Sequence, residues 1–563
     1  MMQMFRQMSV LERMLFVLLL FAAGVGSWDL FFRFIHESRV PYMGDSNFFM
    51  TVGRGILNGL MPYRDLIETK PPAIFLLSAA SLWLSGDMVL AHLVQVCAIA
   101  VVCVALITPV CLRTSSLPYN HFLSLLAGVV VSLALILYSA DRSGEFYPES
   151  FGAAFGLLYV WILLSTPANV TLSWRLGAAL CLLGAIGFKE PFVFTLLAAA
   201  LILWRNRKTF HHIFLFPLLM ASVLGSVLLA LLGWFQAYVF TYLPFMIWQR
   251  PQAANDPLWV RGLFADLVWQ DFMAFSPFLG ILLALIFLGV LYLNIRKQNA
   301  VRQSVVLTAI LFAPIAGASY AITFLHSKPW AQILLACSIV AWICVYLQWQ
   351  SRGKGQEGEE YCWRIFRLLL AGYLMILAPG TVANFLGHHL VFLIPSFAAL
   401  LFSILDWKSD HSGKYGLFIT IAVFASFTLL FHNRVDLRAR RENLLGSQII
   451  AEEIAQSIDV LLSSCGINRY MHVGSFNIPY FAFTSHSPLG PGFFQAKLNN
   501  GLLHASFERN LHSTEILVVG SEIPTLREAD GLYIQSNFSR TPFPCARLWD
   551  PPNGVSVLFR VSE

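Results

Sequence analysis

The sequence predicts an α-helical polytopic membrane protein of about 13 transmembrane helices, followed by a small C-terminal extracytoplasmic α/β or α+β domain. Three observations carry that expectation. The chain has 563 residues, 57% hydrophobic and only 12% charged, with a mean hydropathy of +0.67, which is far too oily for a soluble protein. Apolar runs of about twenty residues, the length that spans a bilayer, recur from Leu11 to Phe431. Beyond Arg434 the composition turns mixed and polar.

The first apolar run, Met14 to Trp28, follows Arg6 and Arg13 in the manner of a signal peptide. It has no small-residue cleavage site before Trp28 and precedes many more spans, so it reads as a retained first helix. Spans are expected over 12–35, 88–111, 121–140, 148–165, 176–188, 191–204, 213–240, 276–295, 304–324, 330–349, 368–386, 389–405 and 415–432. The loops holding Arg205 to Lys208, Arg296 to Arg302, Arg352 to Arg367 and Lys408 to Lys414 carry the excess of Lys and Arg that marks the inside face. An inside N-terminus then places the 36–87 segment, the 141–147 loop, the 241–275 loop and the tail outside. Pro71 to Gly86 is apolar but short, and is expected to lie near the outer interface as a helix.

The net charge of +6 resides in short loops and not on an amphipathic face, which points to membrane orientation and away from nucleic acid. The nine cysteines show no paired metal-ligand spacing. Residues 1–433 are thus expected to form a membrane domain with an extracytoplasmic loop over 36–87, and residues 434–563 a small soluble domain. In the latter, Asn443 to Ser463 has the spacing of an amphipathic helix with Ile449, Ile450, Ile454, Ile458 and Leu461 or Leu462 on one side. Strands are expected over Tyr470 to Val473, Glu515 to Val519 and Val555 to Val561. Cys465 and Cys545 lie in a compartment that permits a disulfide, and the sequence leaves open a bridge or two free thiols.

Charge is concentrated where the oily pattern breaks. The stretch Gly44 to Pro72 holds Asp45, Arg54, Arg64, Asp65, Glu68 and Lys70. It reads as a short helix from Asn47 to Leu57, stopped by Asn58-Gly59, and a rigid Lys70-Pro71-Pro72 that opens the next helix. A second break, Asp141 to Ser150, includes Arg142 and puts Glu149 at the start of a membrane helix, where a lone carboxylate should face protein or a cavity. The third, Gly187 to Phe192, splits an apolar run of about thirty residues. As one helix it would put Lys189 and Glu190 near mid-membrane, at roughly 2.5 to 3.5 kcal/mol each. Two helices meeting at the outer face avoid that cost, with Pro191 opening the second. Lys189 and Glu190 either neutralise each other at that hairpin tip or serve a site. A last break, Asn384 to His389 leading to Pro395, puts His388 and His389 at an outside helix start, about 100° apart and so poorly placed to share a metal.

These residues resemble a known pattern. Asp45-Ser46, Gly53 to Gly59, Pro62-Tyr63-Arg64-Asp65 and Lys70-Pro71-Pro72 are similar to the first extracytoplasmic loop of the GT-C class of polyprenyl-phosphate-sugar-dependent membrane glycosyltransferases. That class includes the protein O-mannosyltransferases and the aminoarabinose transferases of lipid A. Gly187 to Pro191 resembles the class's lysine-bearing interhelix motif, and His388 to Pro395 its late histidine-to-proline segment. The chain departs from the pattern in having Ser46 where many members have Glu, and Glu190 where many have Gly.

The resemblance implies an integral membrane enzyme, in a bacterial inner membrane, that moves a sugar from a polyprenyl-phosphate donor to an extracytoplasmic glycan, lipid or protein. A carboxylate can serve such a reaction as general base, and cations can stabilise the departing phosphate. Asp45 is then the catalytic base, and Lys70 and Lys189, with one of Arg54, Arg64 or Arg142, hold the phosphate. Tyr63, Asp65, Glu149 and His388 complete the expected donor and substrate set. No cofactor is required; Ser46 removes one candidate carboxylate beside Asp45, and the sequence leaves a divalent metal there open but without support. The alternatives are a GT-C-like scaffold without activity, or a lipid or glycan transporter in cell-envelope assembly.

Overall fold

The computed structural model describes residues 10–39, 45–66, 70–86, 147–167, 169–203, 210–246, 390–396, 437–473, 483–490, 501–519, 528–547, 549–552 and 555–561, with a few isolated positions. Helix α1 is Val10–Arg39, which covers the first expected span. Helix α2, Asp45–Leu57, ends where Asn58-Gly59 predicts, with Gly59 at φ 79°. Helix α3, Pro72–Ser85, begins behind an extended Pro71, with proline again in its first turn where a missing N–H costs nothing. These two helices pack against each other so closely that a Cβ on Gly53 would lie 2.8 Å from the Ala79 nitrogen. Only glycine allows that approach.

Behind them stand α4, Pro148–Ser165, α5, Leu172–Phe188, and α6, Phe192–Ile202. A π-helical turn, His211–Leu215, runs into α7, Phe216–Leu231. Leu157, Tyr159 and Val160 of α4 form one buried core with Leu182 and Ala185 of α5, Phe192 and Leu196 of α6, and Phe392. The Tyr159 hydroxyl satisfies itself on the Ile213 carbonyl at 3.1 Å.

Two described helical stretches, Pro148–Ser165 and His211–Leu231, are long and apolar enough to cross a membrane. They bury themselves differently. Helix α4 is mostly enclosed by protein, whereas α7 turns Leu219, Val223, Val227 and Leu231 outward, four residues apart along one face. Water penalises such a stripe and lipid does not.

The run expected over 213–240 is not one helix. It stops at Leu231, turns through Gly233 at φ 73° and resumes in short helical turns at Phe235–Ala237 and Tyr238–Tyr242. Of the other expected spans, 276–295, 304–324, 330–349 and 415–432 lie outside the described residues. Those over 88–111, 121–140, 368–386 and 389–405 enter the described part only in pieces.

Among the described residues, the C-terminal unit has α8, Leu437–Ser464, and five strands: β1 Arg469–Val473, β2 Ser487–Leu489, β3 Ile516–Val519, β4 Phe538–Ser539 and β5 Ser556–Arg560. Their order is β2-β1-β3-β5-β4. Strand β1 is parallel to β2 and β3, while β5 is antiparallel to β3 and β4. The unit is therefore α/β, with a mixed sheet. Helices α9, Gly501–Ser513, and α10, Glu528–Asn537, also belong to it.

Strand periodicity sends alternate residues to opposite faces. Tyr470, Ile516, Val518 and Phe559 pack on Ala455, Ile458 and Leu462 of α8. Met471, Val473 and Leu517 face the other way, onto Phe507 and Leu511 of α9 and onto Phe49, Tyr63 and Leu66 of the first loop. The apolar core thus runs across the compositional boundary near residue 434.

One expectation for the tail needs adjustment, and one choice left open by the sequence is decided. Ile449 and Ile450 are exposed, because the buried stripe of α8 runs through Ala451, Ala455, Ile458 and Leu462, and Ile449 lies half a turn from Ile458. Cys465 and Cys545 are bonded, with their Cα atoms 5.2 Å apart, tying the end of α8 to the segment before β5.

Candidate functional site

The Met61–Leu66 turn is the most constrained piece of backbone in the site. Tyr63 sits at φ 67°, the one non-glycine residue with positive φ among those described. Its ring is buried against Phe75, Tyr238 and Tyr242, at centroid distances of 6.3, 5.5 and 4.7 Å. Its N–H donates to the Leu66 carbonyl at 2.8 Å, and its hydroxyl donates to the Lys70 carbonyl at 2.8 Å. A β-carbon disfavours this conformation, which persists only where the surroundings dictate it.

The next two residues pair with each other. Arg64 Nε and Nη2 lie 2.9 and 2.7 Å from the two Asp65 carboxylate oxygens, and the Met61 N–H adds a bond of 2.9 Å. Partial burial would raise the Asp65 pKa, but the Arg64 and Met61 hydrogen bonds and the charges of Arg64 and Arg509 outweigh it and hold it below the usual value. The Asp65 hydrogen bond in turn pushes Arg64 up, against partial burial. This pair stays charged and fixes the turn.

At the third break, α5 stops at Phe188, Lys189 is extended, and Pro191 precedes α6, as expected from the charge and proline pattern. Two readings are open for Lys189 and Glu190, and each residue has a partner elsewhere. Lys189 Nζ lies 3.0 Å from Glu149 Oε1, with the two side chains only 4% and 3% exposed. Glu190 instead accepts a hydrogen bond of 2.5 Å from the Tyr242 hydroxyl. Glu149, in the first turn of α4, does face protein, as a carboxylate at a membrane-helix start should.

The two lysine-bearing breaks, more than a hundred residues apart, are joined through intermediate residues. From the Lys70 carbonyl the contacts run through the Tyr63 hydroxyl and ring to Tyr242, from its hydroxyl to Glu190, and along the chain to Lys189 and Glu149. Arg54 lies in the last turn of α2, half-buried, and Asp45 is the first residue of that helix. The side chain of Asp45, and the whole of Arg142 and His388, lie outside the described residues.

Sequence reading missed Tyr238 and Tyr242. Their signal was present, as two tyrosines four apart that stack at 5.0 Å on one helical face. It also missed Arg509 and Asn510, whose hydrogen bonds reach the turn from α9. Chemically, the cluster sets a buried ammonium against a carboxylate, braced by aromatic rings. An anion reaching Lys189 would have to compete with Glu149.

No family model and no curated protein matches this chain. Among solved structures, the crystal structure of ArnT from Cupriavidus metallidurans bound to undecaprenyl phosphate aligns with 97% of this chain and 98% of its own, at 10% sequence identity and a TM-score of 0.45. At that identity and score the likeness is too distant to transfer a residue role or a substrate.

Proposed function

We propose that the chain is a membrane glycosyltransferase that moves a sugar from a polyprenyl-phosphate donor to an extracytoplasmic acceptor, whether glycan, lipid or protein. The acceptor oxygen bonds to the anomeric carbon, the bond from that carbon to the phosphate oxygen breaks, and Asp45 takes the acceptor's proton. The departing polyprenyl phosphate keeps the electron pair and is stabilised by Lys70 and Lys189, with Arg54, Arg64 or Arg142 as a third cation. Tyr63, Asp65, Glu149 and His388 support the same site. The observation that carries this reading is the connected path from Lys70 through Tyr63, Tyr242 and Glu190 to the segment of Lys189. The path joins two lysine-bearing breaks that lie more than a hundred residues apart in sequence.

One observation favours a second reading. The Lys189–Glu149 pair is buried and close, as in a structural ion pair, which suits a non-catalytic scaffold or a lipid or glycan transporter. Asp45→Asn separates the two. Asparagine keeps the shape but takes no proton, so an enzyme should lose turnover by roughly 100- to 10,000-fold while still binding donor. The measurement is transfer from a radiolabelled polyprenyl-phosphate sugar in proteoliposomes, with donor binding recorded on the same preparation. Wild-type turnover by the variant would remove Asp45 from the mechanism and put the scaffold first.

A further inference from the structure

We infer that the C-terminal unit clamps the Met61–Leu66 turn, with Asn510 as the positioning residue. The effect on Lys70 as a donor ligand rests on the functional reading above; the clamp itself does not. Three donors from more than 400 residues away converge on two consecutive carbonyls of the turn. Asp65 accepts from Asn510 Nδ2 at 3.0 Å and from the Gly490 N–H at 2.9 Å. Arg64 accepts from Arg509 Nη2 at 2.9 Å. Just before the turn, Asn58 Nδ2 donates to the Ser485 carbonyl at 3.0 Å and to Ser487 Oγ at 2.9 Å.

The fit is close on the C-terminal side. Gly490 is at φ 69°, and a Cβ there would lie 3.3 Å from the Met471 methyl carbon and 3.6 Å from Asn510 Nδ2. Asn510 is itself buried, so its amide cannot exchange the Asp65 carbonyl for water. Beneath these bonds, Tyr63 and Leu66 share an apolar core with Met471, Leu489, Phe507 and Leu511. A tyrosine at positive φ needs such over-determination. The C-terminal unit supplies it on one side, and Phe75, Tyr238 and Tyr242 supply it on the other. Because the Tyr63 hydroxyl holds the Lys70 carbonyl, a turn fixed at Asp65 also fixes where Lys70 starts.

The test uses the full chain in detergent micelles. Asn510→Leu keeps nearly the same shape and removes the donor, and Arg509→Ala is a milder variant at an exposed position. Amide hydrogen exchange over Leu60–Leu66 should speed up about tenfold in Asn510→Leu and less in Arg509→Ala, while β1 and β3 exchange as in wild type. Affinity for undecaprenyl phosphate, used as the probe, should fall about five- to tenfold in Asn510→Leu. Unchanged exchange in the turn for both variants overturns the clamp. If β1 and β3 also loosen in Asn510→Leu, Arg509→Ala alone decides it. Faster exchange in the turn with unchanged affinity overturns the positioning of Lys70. A wild-type chain that binds no undecaprenyl phosphate strikes the donor reading alone, and the exchange rates still decide the clamp.

Discussion

At the residue scale, the Lys189–Glu149 pair changes what a substitution there can report. Both side chains are almost fully buried, and their attraction offsets a desolvation cost that neither group could bear alone. Lys189→Met takes that cation from a buried carboxylate, so it should cost about 3 to 5 kcal/mol of stability, and weak donor binding by that variant would be ambiguous. The paired variant, Lys189→Met with Glu149→Gln, removes both charges and should recover most of the loss. Thermal unfolding of wild type, Lys189→Met, Glu149→Gln and the double variant gives the coupling directly. Equal destabilisation by the pair and by the single lysine variant would mean that the ion pair is not what holds this corner. With the fold restored, donor binding by the double variant then tests the Lys189 ammonium itself.

At the scale of the element, β1 carries a pH dependence. His472 sits in this strand, 3% exposed, and burial pushes its pKa down from 6.5 to about 3. The folded strand holds the ring neutral, whereas the unfolded chain would take up a proton between those two values. Stability is therefore fully present above pH 6.5 and falls as pH drops toward 3, by up to about 1.4 kcal/mol per pH unit. Melting temperatures between pH 7.5 and 5 should decline for wild type and more gently for His472→Leu; parallel curves would remove His472 as the cause. The strand was legible in the sequence because Tyr470, Met471 and Val473 give it an apolar run, and so were β3 and β5. Strands β2 and β4 were not, since runs of three and two residues exist only through the pairing that β1 and β5 offer. Helices α9 and α10 were not foreseen, their sequences being largely polar. In the site, the helix stop at Asn58-Gly59 and the break at Lys189 are local events written in Gly, Pro and charge. The partner of Lys189 is forty residues away, and no local pattern could select Glu149 over Glu190.

At the scale of the whole molecule, the contacts between the first loop and the C-terminal unit constrain topology. Asn58 and Ser487 are hydrogen-bonded at 2.9 Å, and the Asp65 carbonyl meets Asn510 at 3.0 Å. A hydrocarbon core about 30 Å thick cannot lie between groups so close, so both segments must occupy one face of any membrane the helices cross. Which face is a separate expectation, drawn from the Lys and Arg collected in the loops at 205–208, 296–302, 352–367 and 408–414, which by the positive-inside rule would put the opposite side in the cytoplasm. Leu57 at the end of α2 and Leu532 in α10 are both exposed, and neither takes part in the clamp, so each can carry a reporter thiol. In a background whose native cysteines do not react, Leu57→Cys and Leu532→Cys should both be modified by a membrane-impermeant maleimide in intact cells. Reaction of both only after permeabilisation would reverse the charge argument and leave the contact standing. Reaction of one alone would break the contact itself, and with it the path that joins the turn, through Asn510, to the C-terminal unit.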